Sequence, residues 1–264
     1  AVQLKPSNPA AMHHGFVFVQ YPAAMTRNQP VWDEGRNGFF AAHVPGFDVL
    51  ELPPDSGQFI PAGAKLVFQL HYIAQGRAGS DRPRLGLYFH ERPPKLEYRV
   101  ESASNMRIRI PPRTAGHEEH ASTVVTEALT LHAFYPHMHY RGRYFSYTAE
   151  YPDGRREPLL SVPNYDFSWQ SLYHLARPKP LPAGTRIRVV AGFDNSKDNP
   201  INPDPGQEVR WGLRDTDEML VGYFMYTRPR QTASDGALRT ADSGAVHRSD
   251  ARTHARSPSP SAVR

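Results

Sequence analysis

Proline and glycine punctuate this chain too often for long helices. There are 26 prolines and 19 glycines in 264 residues, spread over the whole length. A proline inside a helix removes a backbone donor and clashes with the preceding turn, and glycine costs a helix conformational entropy. The runs left between them are short, and several alternate apolar with polar residues, as in MRIRIP (106–111) and YFSYTAEYP (144–152). A period of two suits a sheet with one buried face. Strand-like segments lie at 15–20, 47–52, 65–74, 84–91 and 105–110, and again at 121–135, 144–152, 186–194 and 219–227. YPDGRRE (151–157) carries the Asp-Gly hairpin signal. PAGAKLVFQL (61–70) and PAGTRIRVV (182–190) each read as a turn feeding a core strand, which suggests two similarly built halves. The expected fold is all-β: two antiparallel jelly-roll-like β-sandwich domains in tandem. The polar, strand-poor stretch PPRTAGHEEHAS (111–122) is the best boundary, giving domains 1–112, abbreviated at its start, and 113–228.

Charge and composition narrow the function classes. The net charge is +5, but residues 227–264 hold seven Arg against three Asp and so account for +4 of it. That end is rich in Ala, Ser, Pro and Arg, and 229–264 reads as a disordered tail. The remainder is nearly neutral and has no basic stripe interleaved with aromatics, which argues against nucleic acid as a partner. No apolar run approaches the roughly 18 residues of a membrane-spanning helix. The absence of cysteine excludes disulfides, thiolate metal sites and cysteine nucleophiles.

Histidine is concentrated at two places. In HAFYPHMHY (132–140), His137 and His139 are two residues apart, so on a strand both imidazoles face one side. Met138 then points away and serves packing, and His132, five residues before His137, falls on the opposite face as a core or surface histidine. Met219 opens the apolar strand after DTDE; beside two imidazoles its thioether would favour Cu(I) over zinc. MHHG (12–15) supplies His13 and His14, which share a face only at a bulge or irregular strand end. His71 sits within the apolar KLVFQLHYIA. These three either form an all-imidazole site or are a core histidine and an ordinary surface pair. HEEH (117–120) is H-x-x-H rather than H-E-x-x-H and reads as solvated loop.

Taken together, these residues resemble the copper type II, ascorbate-dependent monooxygenases, the family of peptidylglycine α-hydroxylating monooxygenase and dopamine β-hydroxylase. The resemblance covers about residues 8–228 and rests on the His-His pair, LVFQLHY, HMHYRG and DEM, with PHMHYRGR, YDFSWQ and FDNSKDNP pointing to its bacterial branch. It implies two copper ions, one on His13, His14 and His71, the other on His137, His139 and Met219. It also implies an enzyme, an oxidoreductase in which the second copper activates O2 to hydroxylate a C–H bond of a small-molecule or peptide-like substrate. The first copper passes an electron, and ascorbate reloads both. The related enzymes work outside the cytoplasm, so the implied location is extracellular or periplasmic. Of the positions that hold peptide in the amidating enzyme, here Tyr135, Val221 and Tyr223, only the tyrosine at 223 is retained. Tyr135 and Tyr223 are the substrate-facing candidates, and peptidylglycine is a poor substrate. The alternatives are a non-catalytic copper-binding or carbohydrate-facing β-sandwich module and, with less support, a zinc hydrolase. Asn164, Tyr165, Asp166, Trp169, Asp194 and Asn195 are expected to hold loops, with Trp169 filling a core edge.

Overall fold

The structure, a computed structural model, describes residues 1–23, 38–44, 47 and 49–230. The tail expected over 229–264 therefore lies outside the described residues from 231 onward. The fold is all-β and sandwich-like, of jelly-roll character, with seventeen strands among the described residues, numbered in chain order. A five-stranded sheet runs in the order β14 (Tyr173–Leu181), β11 (Leu129–His137), β17 (Val221–Pro229), β8 (Leu96–Ser104), β5 (Ser56–Gly57). A four-stranded sheet holds β10 (His117–Val124), β15 (Arg186–Phe193), β12 (Gly142–Glu150) and β13 (Arg156–Val162). Two three-stranded sheets come from the first half: β3 (Ala41–His43), β2 (Met12–Gln20), β6 (Lys65–Tyr72), and β4 (Val49–Leu50), β1 (Val2–Lys5), β7 (Arg84–Leu87). The short β9 (Arg109–Ile110) and β16 (Val209–Arg210) pair with each other.

The centre of the five-stranded sheet is buried on both faces, and β17 shows why. Its even positions Phe224 and Tyr226 join one core with Phe145, Tyr147, Ile187, Val189 and Phe193 of the four-stranded sheet. Its odd positions Val221, Tyr223 and Met225 join a second core with Phe16, Val17, Phe18 and Phe39 from the first half. A strand covered on both sides reads as a continuous apolar run rather than an alternation, and VGYFMY does so. Because β8 and β17 are neighbours, strands from both halves meet within this one sheet.

The turns follow the sequence closely. Gly154 takes φ +87° in the Asp-Gly hairpin between β12 and β13. The two PAG turns are alike: Gly63 and Gly184 sit at φ +79° and +84°, and Ala64 and Thr185 each donate to the proline carbonyl three residues back. The strands they feed differ, however. β15 lies inside its sheet, whereas β6 lies at an edge and is no core strand.

Several strands depart from the sequence reading. NMRIRI is strand only at Arg109–Ile110, because the Asn105 side chain accepts from the Arg107 amide and turns the chain. The 121–135 run is broken into β10 and β11 by a turn whose Val125 amide donates to Thr185. HEEH is not a loop but the start of β10, where Glu119 accepts from Asn105, the Arg109 amide and His117. β14 carries Pro178 and Pro180, which a strand tolerates at a sheet edge.

Candidate functional site

Two irregularities place the histidines. Between Met12 and His14 the β2–β6 ladder shifts register, so that His14 opposes His71 and His13 is the extra residue. That bulge lets adjacent histidines reach one site: the His13 and His14 rings lie 5.1 Å apart, and His14 lies 4.1 Å from His71. Beside them, His137 at the end of β11 and His139 just after it project together with rings 5.2 Å apart, and His14 is 6.4 Å from His137. Met138 faces the other way and is fully buried in the first core. A second bulge, between Leu131 and Ala133, changes the phase of β11. His132 consequently bonds Thr227 at 2.8 Å and approaches Tyr98, both on the second-core face, and not the face that regular alternation gives it.

The imidazoles of His137 and His139 are held by neighbours. The Nδ1 of His137 lies 2.7 Å from Gln170 Oε1, which also accepts from the Tyr135 hydroxyl, and the Nδ1 of His139 lies 3.2 Å from the Asp217 carbonyl. Both acceptors require a proton on Nδ1, which leaves Nε2 as the free lone pair. The Tyr165 hydroxyl clasps Met138 by donating to its carbonyl at 2.7 Å and accepting from its amide at 3.0 Å. Gly142 allows this closeness, since a Cβ there would stand 2.9 Å from both Met138 and Tyr165. Glu218, wholly buried, accepts from the His139 and Arg141 amides at 2.9 and 2.6 Å and ties the turn after β11 to the start of β17. Buried Arg141 donates to Asn195 and to the Thr216 carbonyl. Asn195 in turn donates to the carbonyls of Pro111 and Gln207. Asp194 accepts from the Ser196 amide, as its expected loop-holding role requires.

Burial sets the electrostatics. The imidazoles of His137 and His139 are pushed down to about 4 and about 3, first by desolvation. His14 is driven far down by burial and then by its four histidine neighbours, and burial also lowers His71, against the pull of Asp215. At neutral pH these four rings carry no charge. Desolvation lifts Glu218 to about 7 in spite of its amide donors. One Asp215 oxygen, Oδ1, is buried with no hydrogen-bond partner. Phe167 covers the group, 5.1 Å from His13, 5.9 Å from His139 and 4.8 Å from Tyr140. On the same loop Trp169 is 63% exposed and fills no core edge.

No protein-family model and no curated protein matches this chain. Among solved structures it is similar to the VP2 subviral particle of infectious bursal disease virus, at 10% identity and TM-score 0.28 over 86% of this chain and 55% of that one. It is also similar to the Gt strain of the same virus, at 12% identity and TM-score 0.25 with the same coverage. The chain thus spans little more than half the length of those chains, and likenesses of this size carry no argument about what it does.

The copper reading is corrected by the site itself. Five histidines gather, and most neighbouring rings meet edge to face. His14 and His71 differ from the other pairs, with 34° between their planes and centroids 4.1 Å apart. A tri-imidazole centre needs three nitrogens within about 2.0–2.1 Å of one point. Among the described residues, no group of three or more His, Cys, Asp or Glu side chains is placed to hold a metal ion. Met219, whose thioether was to complete the second copper site, is buried in the second core with Tyr135 and Tyr223. Without such a group, membership of the copper monooxygenase family falls, and so does the enzyme reading. O2 activation, ascorbate as reductant and the small-molecule or peptide-like substrate fall with it. The extracellular or periplasmic expectation loses its only support. Tyr135 and Tyr223 are buried side by side, rings 5.8 Å apart, with the Tyr135 hydroxyl spent on Gln170.

Gln170, Phe167, Glu218, Arg141 and Asp215 shape the site and were not read as doing so. The first four stand inside YDFSWQ, DEM and HMHYRG, so the motifs marked the right neighbourhoods without assigning these roles.

Proposed function

We propose that this chain is a non-catalytic β-sandwich recognition module that takes a neutral, polyhydroxylated ligand of carbohydrate type at the imidazole cluster. The observation that carries this reading is one loop, 163–172, that packs Phe167 on His13 and His139, bonds Gln170 to His137 and presents Trp169, 63% exposed, to solvent. Sugars present both an apolar C–H face and a ring of hydroxyls. An exposed indole stacks on the former, and the free Nε2 lone pairs of neutral imidazoles accept from the latter. Binding sites of this kind combine apolar walls with a few placed polar groups. The test is calorimetric titration with a panel of neutral oligosaccharides. Saturable binding to one or more, weakened at least about tenfold by Trp169→Ala, is the expected outcome. No binding across the panel, or binding untouched by the substitution, overturns the reading.

A further inference from the structure

The sheet edges of this fold are managed unequally. An edge strand offers unpaired amides and carbonyls, and proteins blunt it with proline, charge or brevity. Edge strand β14 carries Pro178, Pro180, Arg177 and Lys179. β13 carries Arg156, Glu157 and Pro158, and β10 carries His117, Glu118, Glu119 and His120. β3, β4 and β5 span three residues or fewer. β6 is the exception: it is eight residues long, and after Lys65 it has neither charge nor proline. β2 pairs with one side of it, and no described strand pairs with the other. Phe68, Tyr72 and the following Ile73 are 43%, 49% and 53% exposed, in contrast to the buried aromatics of β2.

We infer that β6 is an interface with a second copy of this chain, formed by antiparallel pairing of β6 with its counterpart about a two-fold axis at Phe68. The segment is suited to pairing with itself. Leu66-Val67-Phe68-Gln69-Leu70 is nearly palindromic in character about Phe68. That register sets Phe68 against Phe68 and Leu66 against Leu70 of the other copy, on one face of the joined sheet, as a two-fold axis requires. Charge agrees with it. Lys65, exposed, falls opposite His71 of the other copy on the same face of the joined sheet, and His71 lies within reach of the Asp215 charge. The one cation of the strand is thereby brought toward an acid across the axis. An open apolar edge left unpaired would instead template uncontrolled association.

Sedimentation of the full chain over a range of micromolar concentrations tests this. A reversible monomer–dimer equilibrium is expected. Phe68→Lys, which puts two like charges face to face at the axis, should weaken it at least about tenfold and leave the far-UV circular dichroism unchanged. Lys65→Glu should also weaken it, and the loss should shrink at high salt. If Phe68→Lys fails to fold, Lys65→Glu alone decides. A monomer at every concentration overturns the inference, as does a dimer that both substitutions leave intact. Capture of a different protein by a monomeric chain overturns it too.

Discussion

The buried imidazoles make an acid-labile fold, and the sign can be worked out. A histidine whose folded pKa is depressed binds its proton more readily in the unfolded chain, so its stabilisation is complete above the ordinary 6.5 and is lost as pH falls. Between about pH 7 and 5, shifts from 6.5 to about 4 for His137 and about 3 for His139 cost roughly 2 kcal/mol each. His14, pushed lower still, adds a similar loss. Glu218 works the other way. Its folded pKa is raised from 4.5 to about 7, so it favours the folded state as pH falls and returns roughly 2 kcal/mol. The net loss is roughly 4 kcal/mol, or about 8–16 °C in melting temperature for a unit of this size. Thermal melts at stepped pH would read it, with a slope of about two protons between pH 6 and 5. His139→Asn should cut that slope to about one proton, and Glu218→Gln should raise it to about three. A melting temperature that is flat or rises from pH 7 to 5 would refute the argument, because the rings would then be charged or exposed.

Gln170→Leu keeps the bulk but strands two buried donors, the Tyr135 hydroxyl and His137 Nδ1; urea unfolding should show a loss of about 2–4 kcal/mol. Asn195→Ala leaves buried Arg141 and the Pro111 and Gln207 carbonyls short of partners. It should cost about 3 kcal/mol or more by the same measurement, whereas Asp194→Ala, which removes one Asx-type bond, should cost about 1 kcal/mol.

The sequence makes the all-β fold, its turns and the pairing of His137 with His139 legible, because each depends on local rules: proline and glycine placement, a positive φ, a period of two. It conceals what depends on a partner strand. The bulges at His13 and after Leu131 change which face a residue occupies, and nothing in HHG or LTLHA signals an extra residue. β8 and β14 escape notice because charges and prolines interrupt them, although the first is paired on both sides and the second lies at an edge. The copper expectation fails at a finer level. Residue types in order can bring five imidazoles into one neighbourhood, but whether they form a metal-holding group is decided by the orientation and spacing of the rings. Gln170, the Asp217 carbonyl and Phe167, all distant in sequence, constrain those orientations.

The most direct test of a neutral, ligand-accepting imidazole cluster is long-range nitrogen NMR of the histidine rings at about pH 5.5, where an ordinary histidine is mostly charged. His137 and His139 should be neutral and protonated on Nδ1, and their Nε2 resonances should move when a neutral oligosaccharide is added. Charged rings at that pH, or Nε2 signals unmoved by every sugar of the panel, would contradict the account.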